Sequence, residues 1–186
     1  MVDEALIQDA IRTIIQAVGE DPGREGLRDT PARIAQVYAE VFSGVCQDPL
    51  AALSGGFDEG HQEMVVLKDI PFYSMCEHHF LPFYGVAHVG YIPKGRVVGI
   101  GNLARVVEIL AKRPQVQERL TSQVADTLEE GLHPAGVAVV VQAEHLCMTM
   151  RGIKKPGSNV VTSATRGVFR KNAKTRSEFL ALIHDR

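Results

Sequence analysis

No apolar run in the 186-residue chain approaches the ~18 residues that a membrane-crossing helix requires. A formal net charge of -2 supplies no electrostatic attraction to nucleic acid or to an anionic membrane, so neither is expected as a partner. Any anionic ligand must be held by local charge. The opening text "MVDEALIQDA" lacks the basic start and apolar stretch of a secretion signal, and a cytoplasmic location is expected. Cysteine is scarce: Cys46, Cys76 and Cys147 cannot all pair, and a reducing compartment favours metal binding or catalysis over a disulfide framework. Internal repeats and low-complexity segments are also missing. What remains is a globular composition, 45% hydrophobic and 23% charged, in a chain long enough to bury a core.

Hydrophobic spacing sets the expected elements. Ile7, Ile11, Ile14, Ile15 and Val18 predict a first helix ending near Gly19. "DTPARIAQVYAEVF" predicts a second, with Thr30 as N-cap, Pro31 in the first turn and a stripe of Ile34, Val37, Tyr38 and Val41. The Gly-, Pro- and Asp-rich text to about Gln62 reads as a loop, giving a helical arm and linker over residues 1–60 and a body over residues 61–186. In the body, "EMVVLKDI", "YGVAHVGYIP" and "RVVGI" suit strands. Leu103, Val106, Val107 and Leu110 then predict one helix, and a second starts at Pro114 with Val116, Leu120, Val124 and Leu128 inward. Strands return in "GVAVVVQAEHLCMTMRG" and "NVVTSATRGVF", before a short helix around "SEFLALI". The implied class is α+β, a largely antiparallel sheet with two consecutive helices on one face.

Chemistry concentrates in "SMCEHHFLP". Cys76 and His79, three apart, can face one point in a turn, as a chelate requires. Cys147 is the obvious third ligand, since Cys46 lies in the linker. If "VVVQAEHLCMTMR" is extended, His145, Cys147, Thr149 and Arg151 share one face. Two thiols and an imidazole leave a fourth zinc position for water, whose pKa falls to roughly 7 on the metal. His78 and His145 then remain as proton-transfer groups. Spacing alone equally allows a structural site completed by His78 or His145. In "RPQVQERL", Gln117 and Glu118 are either a solvated helix start or a guanine-binding pair, because a carboxylate matches the adjacent N–H groups of guanine's Watson–Crick edge. "GIGN" is a weak phosphate-cradle signal.

Taken in order, "GLRDTPARIAQVY", "SMCEHHFLPFYG", "VGYIPKG", "RPQVQERLT", "EHLCMTMRGI" and "TRGVFRKNAKTRSEFL" resemble GTP cyclohydrolase I over nearly the whole chain. The resemblance implies the tunnelling fold (T-fold) and a homodecamer of two pentamers with sites at subunit interfaces. It implies Zn2+ on Cys76, His79 and Cys147, attack of an activated water on C8 of GTP, and acid–base roles for His78 and His145. Formate and 7,8-dihydroneopterin triphosphate would be the products. Gln117 and Glu118 would hold guanine, and Arg33, Arg105 and Arg151 would lie near the triphosphate.

The chain departs from the family where Ser-Lys is usual and Gly101 and Asn102 stand instead. Gln36 replaces a frequent lysine, and Thr165 and Arg166 replace Met-Leu. A lost charged hydrogen bond is worth roughly 1.5–3 kcal/mol, so weaker GTP binding is the expected consequence. The alternatives left by these changes are a divergent homologue acting on another purine nucleotide and a non-catalytic, zinc-stabilised oligomer.

Overall fold

The computed structural model describes residues 2–184. In chain order the elements are α1 (Glu4–Ala17), α2 (Thr30–Val41), β1 (Phe57–His61), β2 (Val65–Cys76), β3 (Pro82–Ile92), β4 (Gly95–Val97), α3 (Ile100–Ala111), β5 (Pro114–Gln115), α4 (Gln117–Leu132), β6 (Gly136–His145), α5 (Leu146–Thr149), β7 (Asn159–Gly167), α6 (Val168–Lys171) and α7 (Ala173–His184). The main sheet runs β5-β2-β3-β6-β7 and is antiparallel except for the short β5, which lies parallel to β2. β1 and β4 form a separate ribbon. Two long strands, two helices and two more long strands follow one another, the order expected of the tunnelling fold.

Alternation along the strands assigns the sheet faces. Phe83, Ala87, Val89 and Tyr91 of β3 and Val137, Val139, Val141 and Ala143 of β6 join the main core, where Leu103, Val106, Leu120, Val124 and Leu128 of the two long helices meet them. Each such fully buried aliphatic side chain contributes about 1.5–3 kcal/mol, so the stripe read from the sequence is what seats α3 and α4. On the reverse face, Ala138, Phe169 and Phe179 form a smaller cluster under α7.

The segment between α2 and β1 is not loose chain. Two short 3-10 turns, Ser43–Cys46 and Leu50–Leu53, strap it against α3 and α4. Gly44 donates to the Lys112 carbonyl, and a Cβ on it would stand 2.0 Å from the Ile109 carbonyl oxygen, so only glycine fits this approach. Arg113 closes the strap by donating to the carbonyls of Gly44 and Gln47.

Three local expectations change. α2 begins at Thr30 with Asp29 as its N-cap residue and makes no side-chain cap. The second long helix starts at Gln117 rather than Pro114, because Pro114 and Gln115 extend to pair with Met75 and Cys76. The strand expected through Cys147 stops at His145. Beyond that point neither neighbour continues the ladder: β3 pairs only as far as Phe83 with His145, and β7 only as far as Asn159 with Glu144. With no strand to bond, the backbone of α5 closes on itself, Met150 N–H donating to the Leu146 carbonyl.

Candidate active site

The metal-ligand turn grows out of the end of β2. Cys76 is the last residue of that strand, and its carbonyl accepts from the N–H groups of both His79 and Phe80, with Phe80 at a φ of 51°. This tight turn brings the His79 Nδ1 within 3.7 Å of the Cys76 Sγ. Phe80 packs on Phe42 and Tyr38, with centroids 5.4 and 6.5 Å away, so the second helix buttresses the turn. Cys147 arrives from α5 instead of from an extended strand, yet its thiol joins the other two ligand atoms, all three within 4.8 Å of one another.

Two thiols and an imidazole this close fit a soft divalent cation, zinc above all. Burial, reinforced by the neighbouring Cys76, pushes the Cys147 thiol above its ordinary pKa, with Arg151 partly opposing. A cation at that point relieves the repulsion that two adjacent thiolates otherwise feel. Cys76 is buried and His79 exposed, so the group opens to solvent on one side.

His145, two residues before Cys147, is fixed more tightly than spacing suggested. Its ring stacks on Phe83, 4.6 Å between centroids and 3° between planes, and its Nε2 lies 2.8 Å from the Gln117 Oε1. Gln117 is 1% exposed. Its amide nitrogen donates to the carbonyls of Val141 and Val160, at 3.0 and 2.9 Å, and approaches the Thr162 hydroxyl. Those carbonyls only accept, so the amide can face one way, its oxygen toward His145, and His145 must donate from Nε2. Neutral His145 therefore keeps its lone pair on Nδ1. Burial lowers its pKa, and the Glu118 carboxylate partly offsets this.

This network gives Gln117 a structural role besides the guanine contact expected of it. Its side chain is engaged by β6, β7 and His145, both amide N–H groups being taken by backbone carbonyls. Glu118, next in α4, is exposed in the first helical turn and keeps its carboxylate available.

Other expected residues lie apart from this cluster in their polar contacts. His78 projects outward, its side chain 65% exposed and its Nε2 3.9 Å from Glu77. Arg33 reaches Asp29 at 3.4 Å. Arg105 bonds Glu108 at 2.7 Å and Gln47 at 3.3 Å. Arg151 is exposed after α5. Gly101 and Asn102 sit in the first turn of α3, where a Cβ on Gly101 would meet nothing within 4 Å. Gly101 and Arg105 line a cavity of about 650 Å³ with Glu40, Tyr73, Met75 and Lys112. Because consecutive β2 residues from both sheet faces line it, the cavity opens at that strand's outer edge.

Sequence reasoning missed Phe83, Thr162 and the Glu77–Arg119 ion pair. A carboxylate and a guanidinium each one residue from a candidate site residue were a signal for the last; nothing in the sequence pointed to the stacking.

Comparison with known proteins is consistent across the chain. The family model described as GTP cyclohydrolase I matches residues 7–184. A protein named GTP cyclohydrolase 1 from Dehalococcoides mccartyi is 62% identical over 98% of this chain and 98% of its own length. Others so named, from Carboxydothermus hydrogenoformans and Thermoanaerobacter pseudethanolicus, are 62% identical over 98% of this chain and 96% of theirs, and 57% identical over 100% of both.

Proposed function

The chain belongs to the GTP cyclohydrolase I family, and from that premise we propose how its residues divide the work of the reaction. The activity is hydrolytic opening of the guanine ring of GTP, giving formate and 7,8-dihydroneopterin triphosphate. Supporting our reading of the site is one observation above others: two thiols and an imidazole converge beside an imidazole whose donor nitrogen is already fixed by a buried amide.

Cys76, His79 and Cys147 would hold zinc, which when bound supplies Lewis acidity and a water activated near neutral pH. Glu118 accepts the N–H groups of the guanine edge and so presents C8 to the open side of the ligand group. His145, held by Gln117 and Phe83, offers Nδ1 to take or return a proton in the steps at C8 and N7. His78, exposed on the same turn as two ligands, is the second proton carrier. Arg33, Arg105 and Arg151 neutralise the triphosphate, with Gly101 and Asn102 leaving the first turn of α3 open toward it.

Arg33 and Arg105 are engaged by Asp29 and by Glu108 and Gln47 rather than by the ligand cluster, and the outer edges of β2 and β7 carry no long partner strand among the described residues. Both facts favour an assembly in which neighbouring chains pair edge to edge and complete each other's sites; the family resemblance makes that assembly a homodecamer of two pentamers, and we place it in the cytoplasm. The test is turnover of GTP by zinc-loaded protein, with formate and dihydropterin measured together. Equal, chelator-sensitive release of both is expected. Absence of product at saturating GTP with zinc bound would refute the assignment.

A further inference from the structure

The ligand turn and the N-terminus of α4 carry the two halves of the chemistry, metal on one and guanine carboxylate on the other. Little backbone joins them. Cys76 pairs with Gln115 in a strand of two residues, and Glu77 N–H donates to the Gln115 carbonyl at 2.9 Å. The remaining link is a side-chain fork: Arg119 meets Glu77 through both terminal nitrogens, one of them at 2.8 Å from Oε1. Glu77 stands between Cys76 and His78 in sequence, and Arg119 follows Glu118. Each end of the fork is thus one residue from a group that must meet the substrate.

We propose that the Glu77–Arg119 pair is a positioning clamp that fixes the distance and angle between the ligand turn and Glu118, and so between the metal and C8 of bound guanine. The inference rests on the reading of the site given above. Both side chains are substantially exposed, at 30% and 44%, so solvent screening limits what the pair adds to folding. Its geometry does more: two parallel hydrogen bonds between planar groups restrict rotation as well as separation. The same Glu77 carboxylate lies 3.9 Å from the His78 Nε2, so the clamp also limits where that imidazole can swing.

The experiment is a double-mutant cycle on full-length zinc-loaded protein with Glu77→Ala, Arg119→Ala, the double variant and Arg119→Lys. Each single replacement should lower kcat roughly 10–100-fold, as a small misplacement of reacting groups does. KM for GTP should stay within about 3-fold, zinc at one per chain and Tm within about 2 °C. The double variant should be no worse than the poorer single variant, because one clamp is lost in each. Lysine keeps the charge but not the fork, and should restore only part of the loss. Amide hydrogen exchange at His79 and Phe80 should quicken in all three alanine variants, a readout that needs no turnover. Multiplicative losses, an effect confined to KM, loss of zinc, or unchanged exchange with unchanged kcat would each overturn the clamp. Inactivity of the unmodified protein would instead strike the assigned activity, while exchange alone would still decide the clamp.

Discussion

Around Cys147 the polar groups find partners inside the chain: Gln117 satisfies two carbonyls and an imidazole, and His145 lies flat on Phe83. Along α2 and α3 the reverse holds. Arg33 and Arg105 lie on exposed surfaces, each bonded to a carboxylate near it in sequence, and Arg105 lines the cavity beside β2, whose outer edge carries only the two-residue β5 among the described residues. On the division of labour proposed above, the ring-opening half is preorganised within one chain, whereas the phosphate half is open to groups from outside. Preorganisation belongs where the reaction creates charge and moves protons. Phosphate recognition needs only charge at the right place, which a neighbouring chain can bring.

Breaking the ordered half should have the largest effect. Cys147→Ala should remove the metal, measured by elemental analysis, and abolish formate release. His78→Ala should keep the metal and still lose formate release. Metal loss in the second variant or retention in the first would overturn the ligand assignment.

Gln117→Leu should come next. It leaves the Val141 and Val160 carbonyls and the His145 donor without their partner, each a loss of about 1–3 kcal/mol when buried. Denaturant unfolding should show a deficit of at least about 3 kcal/mol, and kcat should fall while metal content holds. A fall in GTP affinity with unchanged kcat would instead make the guanine contact expected from the sequence the main role of Gln117.

Much of this contrast was legible in the sequence. The hydrophobic stripes of α3 and α4 and the spacing of Cys76 and His79 carry local physics, and local physics is what spacing reports. Cys147 was rightly paired with them for the wrong reason. Its place depends on where β3 and β7 stop pairing, a property of partners far along the chain. The network around Gln117 was hidden in the same way: an amide at a helix start gives no sign that the backbone carbonyls of two other strands bind it. β5 escaped because a proline in a helical stripe suggests a helix start, while its parallel pairing with Met75 and Cys76 requires the whole sheet.

The open half should respond in KM. Arg105→Ala should raise KM for GTP by about 10–100-fold, the equivalent of one charged hydrogen bond, with kcat and metal little altered. In the opposite direction, Gly101→Ser with Asn102→Lys should lower KM several-fold, since the space at Gly101 accepts a side chain without displacement. A loss of stability on that substitution would contradict the openness assigned to the first turn of α3.

The smallest effect lies outside both halves and serves as their control. His88, on the reverse face of the sheet, accepts the Asp69 N–H at 3.2 Å, and burial holds its pKa below the ordinary value. Other charges bearing on it are Asp69, His184 and Lys68. Between its lowered folded value and about 6.5 the unfolded chain binds the extra proton. Its stabilising contribution is therefore full above about pH 6.5 and declines as pH falls through that window. His88→Asn keeps an acceptor for Asp69 and should flatten the acid side of the stability profile, with GTP turnover unchanged.

The division between a complete half and an open half is tested most directly by mixing chains. Subunits carrying Cys147→Ala and subunits carrying Arg105→Ala, co-expressed with different tags and purified as mixed oligomers, would be assayed at GTP well below KM. If Arg105 serves the metal centre of a neighbouring chain, mixed oligomers will turn over GTP well above the sum of the two parents. Activity no greater than that sum would place both halves in the same chain and contradict the account.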